Sequence, residues 1–178
     1  MTATRGAASK RPGGRPGRSG GRTRRSVARL AAAQALYQIE LGGAAPEDVL
    51  REFLEQRLGE EVEGVRLAPA DRAMLADLVR GVAARRVELD DMLAAVLDPD
   101  WPVERLETLL HAMLRAGVFE LAERRDIPAR VVISEYLDLA DAFFDGKEPA
   151  MVNGVLDRVA RALRPEEFDA RDADPAPG

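Results

Sequence analysis

The sequence has no cysteine and only one histidine among its 178 residues, which excludes most metal and covalent chemistry. Disulfides, thiolate zinc sites and thiol nucleophiles all require cysteine. His111 stands alone in an apolar segment, so it cannot supply a typical zinc site, and we interpret it as a structural histidine. The acidic pairs Asp90/Asp91 and Asp98/Asp100 are interpreted as solvated charge rather than metal ligands. With no Ser/His/Asp combination to assemble, we predict a binding protein without catalytic residues, metal or cofactor.

Long apolar runs are absent as well. No stretch approaches the roughly 20 apolar residues of a membrane span, and the N-terminus lacks the apolar region of a signal peptide. The N-terminus is rich in arginine, as transit peptides are, but six glycines and two prolines in residues 6–21 disfavour the amphipathic helix that such a peptide needs. The lack of cysteine fits a reducing compartment, and we expect a cytoplasmic protein.

Strand-forming residues are scarce, and no segment shows sustained alternation of apolar and polar residues. Alanine, leucine, arginine and glutamate dominate, which predicts an all-α fold of about six to seven helices. Without strands there can be no glycine-rich phosphate loop between a strand and a helix. The predicted helices cover residues 23–41, a segment beginning at Pro46, and residues 69–97, 103–121, 129–144 and 150–163.

Breaker residues divide this helical region into two parts. The segment "DPDWP" at residues 98–102 is the strongest internal breaker, so we predict two packed three-helix subdomains at about 23–97 and 103–164. Gly42 and Gly43 are expected to end the first helix. In that helix, steps of three and four residues predict one buried stripe. Its members are Val27, Leu30, Gln34, Tyr37 and Leu41.

Charge is distributed unevenly along the chain. The formal charge of −5 divides into +8 for residues 1–25, which contain no acid, and −13 for the remainder. Residues 1–22 are rich in Gly, Pro, Ser and Arg, which predicts a disordered basic arm, and residues 165–178 are expected to form an acidic disordered tail. A basic arm on an acidic body is typical of a protein whose one end binds a polyanion.

Two stretches have features of a binding site. At the start of the first helix, Arg24, Arg25 and Arg29 form a cluster whose guanidinium groups suit phosphate, the alternative being a solubilising tail. Gln34 could bond a nucleobase, although its position favours the core.

The second stretch is the turn "FFDGKEPAMVNGVLD" at residues 143–157. Phe143 and Phe144 cannot both point inward on a helix, so one is available to stack on a base. Pro149 begins a helix whose free amides can face a phosphate. Gly154 suggests close approach of another backbone, and helix packing is favoured over ligand contact.

Three segments together resemble the NusB family of bacterial transcription antitermination factors. "RRSVARLAAAQALYQIEL" is similar to the family's opening helix, and "WPVERLETLLHAMLRAGVFEL" is similar to its W-x-x-x-R-L…E-L segment. "IPARVVISEYLDLADAFFDGKEPAMVNGVLDRV" resembles the segment ending in V-N-G-V-L-D. The match covers about residues 24–165, and its last motif is highly specific.

The resemblance implies an all-helical fold of two subdomains and no enzyme activity or cofactor. It implies binding to single-stranded boxA RNA of ribosomal RNA transcripts together with the ribosomal protein NusE, and indirect association with other Nus factors and RNA polymerase. The implied RNA-binding residues are Arg24, Arg25, Arg29, Gln34, Tyr37, Phe143, Phe144, Lys147, Met151 and Asn153. The implied partner-binding residues are Glu104, Glu107, His111 and Glu120.

The sequence departs from the family pattern at several positions. Ser134 stands where the family often has Asn, and Met151 stands where an aromatic is common, so Met151 would stack less well on a base. Lys147 replaces an acidic or polar residue and, if exposed, should strengthen phosphate attraction.

Two other functions remain open. NusB-like domains also precede RNA cytosine methyltransferase domains, but no Rossmann-like region follows here, which favours a free-standing factor. The remaining alternative is a homodimeric protein–protein scaffold whose basic arm contacts its own acidic body.

Overall fold

The computed structural model describes residues 20–57, 61–62, 65–66 and 70–172, with side chains over 24–55 and 70–169. Eight α-helices fall within these residues, so the all-α prediction is confirmed. They are α1 (Gly20–Gly42), α2 (Pro46–Glu52), α3 (Arg72–Ala84), α4 (Arg86–Ala94), α5 (Thr108–Glu123), α6 (Ala129–Phe143), α7 (Glu148–Leu163) and α8 (Glu166–Asp172). Shorter pieces are a π-helical turn (Phe53–Arg57), a 3₁₀ turn (Val103–Arg105) and the two-residue strands β1 (Glu61–Val62) and β2 (Val65–Arg66), which pair antiparallel.

Helix α1 ends where its glycines predict. Gly43 adopts a positive φ of 64°, and its amide donates to the carbonyl of Ile39 at 3.0 Å, which caps the helix. Only glycine adopts this conformation without steric cost.

The predicted buried stripe of α1 is wrong. The buried face consists of small residues, with Leu36 as the one larger apolar side chain: Ala28, Ala31, Ala32, Ala33, Ala35 and Leu36. Leu41 is 61% exposed, and Gln34 is exposed as well. Alanine faces let helix axes approach closely, and α1 uses this face against α3 and α5. The apolar residues of the predicted stripe, such as Leu41, therefore lie towards the surface.

Helix α5 lies at the centre of the fold. It contacts α1, α3, α4, α6 and α7, and residues 112–121 along it are all buried. The buried apolar residues of the described helices form one continuous core around it. The division into subdomains at 23–97 and 103–164 stays a prediction.

The long third helix predicted for residues 69–97 is two helices. Asp71 caps α3 by accepting a hydrogen bond from the Met74 amide at 3.0 Å. The helix stops at Arg85, whose φ of −117° and ψ of 25° leave the helical region, and α4 follows at once. The break was not predictable from breaker residues, because none stands there.

The prediction of a disordered acidic tail from residue 165 is also wrong in part. Residues Glu166–Asp172 form α8, and Phe168 on it is only 4% exposed. The Arg161 and Arg130 guanidiniums lie 4.6 and 5.5 Å from the Phe168 ring centroid. Residues 173–178 lie outside the described part of the chain, as do residues 1–19 of the predicted arm, whereas residues 20–22 belong to α1.

Arg164 holds the end of α5 to α7 and α8. Its side chain is fully buried, and it donates to the carbonyls of Glu120, Leu121, Arg124 and Ile127 and to the Glu167 carboxylate at 2.7–3.0 Å. The Leu121 carbonyl lies in the last turn of α5, where the end of a helix leaves carbonyls without partners. None of the helices described is both long and apolar enough to cross a membrane.

Candidate RNA-binding surface

An open groove of about 580 Å³ lies at the N-terminal end of α1. It is lined by Arg24, Arg25 and Arg29 of α1, by Asp71 and Ile127, and by Val131 and Glu135 of α6. The Asp71 amide donates to the Arg24 carbonyl at 3.0 Å, which fixes the first turn of α1 against the start of α3. Arg24 is exposed, Arg25 is half-buried, and neither has an ion-pair partner among the described residues. Both guanidiniums are available to an anion.

Arg29, one turn later, is not available, and its prediction as an RNA contact is corrected. Only 3% of Arg29 is exposed, and its guanidinium donates to both oxygens of Glu120 at 2.8 and 2.9 Å. The Glu135 carboxylate lies 3.3 Å away on its other side. Burial alone would lower the pKa of Arg29, but the Glu120 hydrogen bonds and both carboxylates raise it. Of the α1 arginines whose side chains are described, Arg24 and Arg25 lack an ion-pair partner and Arg29 forms a core ion pair.

Gln34 and Tyr37 continue along α1. Gln34 is exposed, so its interpretation as a core residue is wrong, and Tyr37 is half-buried. A second groove, of about 390 Å³, runs between α6 and the preceding part of α1, residues 26–30. It is lined at one end by Ser26 and Glu135 and at the other by Leu30 and Ala142.

The turn after α6 presents the predicted aromatic residue. Phe143 is 43% exposed, whereas Phe144 is half-buried and packs on the core. The expectation that one of the two is exposed is confirmed. Lys147 is exposed and Met151 is partly buried against the core. Asn153 is exposed on the outer face of α7.

Helix α6 connects the two predicted parts of the surface. Val131 in its first turn lines the groove with Arg24 and Arg25, and Phe143 ends the helix. The helix has 15 residues and is therefore about 22 Å long. The arginine cluster and the aromatic turn lie at opposite ends of α6, and neither part is near the other in sequence.

Gly154 does not have the close backbone neighbour that was predicted. A Cβ built there would meet only an Nη of Arg158 at 3.5 Å, an ordinary contact. The close approaches occur at Gly81, where a Cβ would fall 2.1 Å from the Phe119 ring, and at Gly117 against Leu156.

The residues predicted to bind a protein partner include both exposed and buried side chains. Glu104 and Glu107 are exposed near the start of α5, where Glu107 also accepts a hydrogen bond from the Leu110 amide at 3.1 Å. Glu120 is fully buried against Arg29, so its prediction as a partner contact is corrected. A carboxylate held in this buried ion pair cannot reach a partner.

His111 belongs to a cluster that the sequence pattern did not indicate. Its Nε2 lies 2.6 Å from Asp90, which also accepts two bonds from Arg115 at 2.6 and 2.8 Å. Burial would raise the pKa of Asp90, but the hydrogen bonds from Arg115 and His111 lower it. Asp90 was predicted to be solvated charge, but it is instead held by these two side chains. Among the described residues, no group of three His, Cys, Asp or Glu could hold a metal ion.

Comparison with known proteins identifies the relatives of this chain. The model of the NusB family matches residues 26–161. The transcription antitermination protein NusB of Nitrobacter winogradskyi is 51% identical over 145 residues, covering 82% of this chain and 90% of its own. The same protein of Rhodopseudomonas palustris is 49% identical over 145 residues, covering 82% and 86%.

Solved structures give the same result. T. maritima NusB matches with a TM-score of 0.66 and 28% identity, covering 81% of this chain and 96% of that one. A crystal structure of the antitermination factors NusB and NusE in complex with dsRNA matches with a TM-score of 0.63 and 26% identity, covering 77% and 96%.

Proposed function

This chain belongs to the NusB family, and on that premise we propose that it binds boxA-type single-stranded RNA of ribosomal RNA transcripts together with the ribosomal protein NusE. It acts in the cytoplasm as a transcription antitermination factor, and it reaches other Nus factors and RNA polymerase through that complex. It is not an enzyme, as its relatives are antitermination factors.

The observation that carries this proposal is the pair of arginines near the start of α1 that have no ion-pair partner among the described residues. Most of the other arginines with described side chains form ion pairs with carboxylates, but Arg24 and Arg25 line a groove with no ion-pair partner among the described residues. A guanidinium can bind phosphate with two parallel hydrogen bonds. The body of the protein is acidic, so an RNA backbone is attracted to this end of the molecule.

Phe143 supplies the second element that single-stranded RNA requires. Single-stranded RNA is bound by combining backbone charges with aromatic rings on which bases stack. Phe143 is exposed at the far end of α6, and Lys147 is exposed in the turn beside it. RNA lying along α6 would place its phosphates against cationic side chains at both ends of the helix and stack one base on Phe143.

The proposal that NusE binds here rests on the related NusB–NusE complex with RNA. In this chain the exposed carboxylates Glu104 and Glu107 near the start of α5 are the candidate contacts, with His111 beside them. This end of α5 is opposite to the groove at Arg24, so RNA and a protein partner can bind at the same time.

The test is RNA binding by fluorescence anisotropy, with and without NusE, comparing boxA-like with scrambled RNA across salt concentrations. We expect log K to fall with log salt at a slope of roughly −2 to −4, for about 3–5 neutralised phosphates. Arg25→Ala should weaken both RNAs and reduce the slope, while Phe143→Ala should weaken binding with little change in slope. Equal affinity for both RNAs in the presence of NusE would refute the proposed function.

The matched control is Arg80→Ala. Arg80 is exposed on α3, but Glu47 already neutralises it through hydrogen bonds of 2.7 and 3.0 Å. Its removal should leave both the RNA affinity and the salt slope as in the wild-type protein.

A further inference from the structure

The arginines whose side chains the structure describes fall into three groups. Most of them form ion pairs with carboxylates: Arg29, Arg51, Arg80, Arg85, Arg86, Arg115, Arg124, Arg125, Arg161 and Arg164. Arg158 instead donates to the carbonyls of Val96 and Gly154. The remaining arginines have neither kind of partner among the described residues: Arg24, Arg25, Arg72, Arg105 and Arg130.

Two of these unpaired arginines line one groove, and two more are sequence neighbours of residues that line it. Arg24 and Arg25 line it directly. Arg72 follows the lining residue Asp71, and Arg130 precedes the lining residue Val131, so each has its Cα about 3.8 Å from that of a groove residue. Both Arg72 and Arg130 are exposed. These positions come from three separate segments, so their convergence is a property of the fold and not of a local charge run.

The carboxylates near the groove are already engaged. Asp71 accepts the Met74 amide at the start of α3, and Glu135 lies against Arg29. Asp126 accepts two bonds from Arg124, which holds its pKa below the usual range, with a smaller contribution from Arg25. Among the described residues, none of these carboxylates forms an ion pair with Arg72 or Arg130.

Arg130 is held in place without losing its hydrogen-bonding capacity. Its guanidinium lies 5.5 Å from the centroid of the Phe168 ring. A guanidinium stacked on a ring face keeps its N–H groups at the edges, where they can still donate to phosphate. Helix α8 therefore has a role in positioning this arginine as well as in covering the core.

We propose that the RNA surface extends beyond Arg24 and Arg25 across this groove to Arg72 and Arg130. The ligand is a run of RNA phosphates outside the segment that reaches Phe143, on the side of the groove away from that turn. This inference rests on the proposed function, because it lengthens the path of the same RNA. The proposed contacts are to RNA phosphates only, so the added RNA segment contributes affinity independently of its base sequence.

The experiment compares a boxA-like RNA of minimal length with the same RNA extended by several nucleotides on its 5′ or its 3′ side. In the full-length protein, extension on one side should increase affinity, and the double variant Arg72→Ala/Arg130→Gln should lose that gain while binding the minimal RNA normally. Two lost phosphate contacts should make the salt slope for the extended RNA shallower by about 1.4. Between 50 and 200 mM salt, the double variant should therefore lose roughly 7-fold less affinity for the extended RNA than the wild-type protein loses.

Two controls keep the result interpretable. Arg105→Ala removes an arginine that is equally exposed and unpaired, but it lies in the 3₁₀ turn before α5, at the other end of that helix from Ile127 in the groove. It should leave the gain intact. Arg130→Lys keeps the charge and should retain most of the gain, and thermal unfolding reports whether loss of the Phe168 stack has altered the fold.

Three results would overturn the inference. The gain could persist in the double variant, or extension on neither side could increase affinity, although the wild-type protein still discriminates boxA-like from scrambled RNA. Alternatively, the double variant could weaken binding of NusE in the absence of RNA, which would make the surface a protein contact. Failure of the proposed function gives a different result, namely loss of that discrimination by the wild-type protein on minimal RNA.

Discussion

At the scale of single residues, Arg25 and Arg29 show how one helical turn separates a surface charge from a core charge. They are the same residue type four positions apart on α1, and both follow from the family pattern. Both line the same groove, but Arg25 has no ion-pair partner among the described residues, whereas Arg29 is held between Glu120 and Glu135. A buried ion pair of this kind specifies how α1, α5 and α6 meet, because each residue comes from a different helix.

The Arg29→Ala substitution should therefore affect stability rather than RNA recognition. It leaves the Glu120 carboxylate buried without its partner, which typically costs about 3–5 kcal/mol. Urea unfolding followed by circular dichroism measures this loss as a lower transition midpoint. Under conditions where the variant is folded, its RNA affinity should equal that of the wild-type protein.

Arg80→Ala is again the matched control, since it breaks an exposed ion pair and should hardly change the midpoint. If Arg29→Ala were as stable as the wild-type protein but lost RNA binding, Arg29 would be an RNA ligand after all and the buried ion pair would not describe the protein in solution.

At the scale of the helices, two glycines in helix interiors have different reasons to be glycine. Gly81 on α3 lies against the ring of Phe119 on α5, and a Cβ there would fall 2.1 Å from the ring. Gly154 on α7 has only the end of the Arg158 side chain nearby, at 3.5 Å. Helix packing therefore requires glycine at the first position and not at the second.

The same substitution should have opposite effects at the two positions. Gly81→Ala overpacks the α3–α5 contact at a cost of about 1–3 kcal/mol, more than the helix propensity it gains. Gly154→Ala should stabilise the protein by roughly 0.5–1 kcal/mol, because alanine restricts the unfolded chain and favours the helix. Thermal unfolding of the two variants gives the sign directly.

RNA-binding measurements test the remaining explanation for Gly154, which is contact of α7 with RNA. If Gly154→Ala were stable but bound RNA more weakly, a close approach of RNA to α7 would be the reason for the glycine. A destabilised Gly154→Ala would instead contradict the open space found around this position.

At the scale of the whole molecule, charge is divided between a basic N-terminal segment and an acidic body. Residues 1–19 carry five cations and no acid, and they join the fold at the end of α1 that begins the groove. Their charge attracts any polyanion, whereas the positions of Arg24 and Arg25 are fixed by the helix. Attraction and recognition should therefore be separable.

Deletion of residues 1–19 should weaken binding of boxA-like and scrambled RNA by similar factors and make the salt slope shallower, because fewer counterions are released. The ratio of the two affinities should be retained. Replacing the same five cations with Gln is the control that keeps the length of the segment. A deletion that abolished the ratio would show that these residues read the RNA sequence.

The sequence by itself determined the helical class, the end of α1 at its glycines, the absence of cysteine chemistry and the charge asymmetry. These follow from propensity and composition, which act within a few residues or over the whole chain. The motif spacing also indicated the family, which the comparisons confirmed.

Only the tertiary structure decided which face of each helix is buried. In α1 most of the larger apolar residues lie outside the buried face because the alanine face allows closer packing against α5, so a rule based on side-chain size selects the wrong face. Glu120 and Arg29 are 91 positions apart, and Arg25 and Val131 line the same groove from different helices. No local sequence pattern predicts such pairs, because their proximity depends on how the helices pack. This packing also separates the core arginine from the arginines that are free to bind RNA.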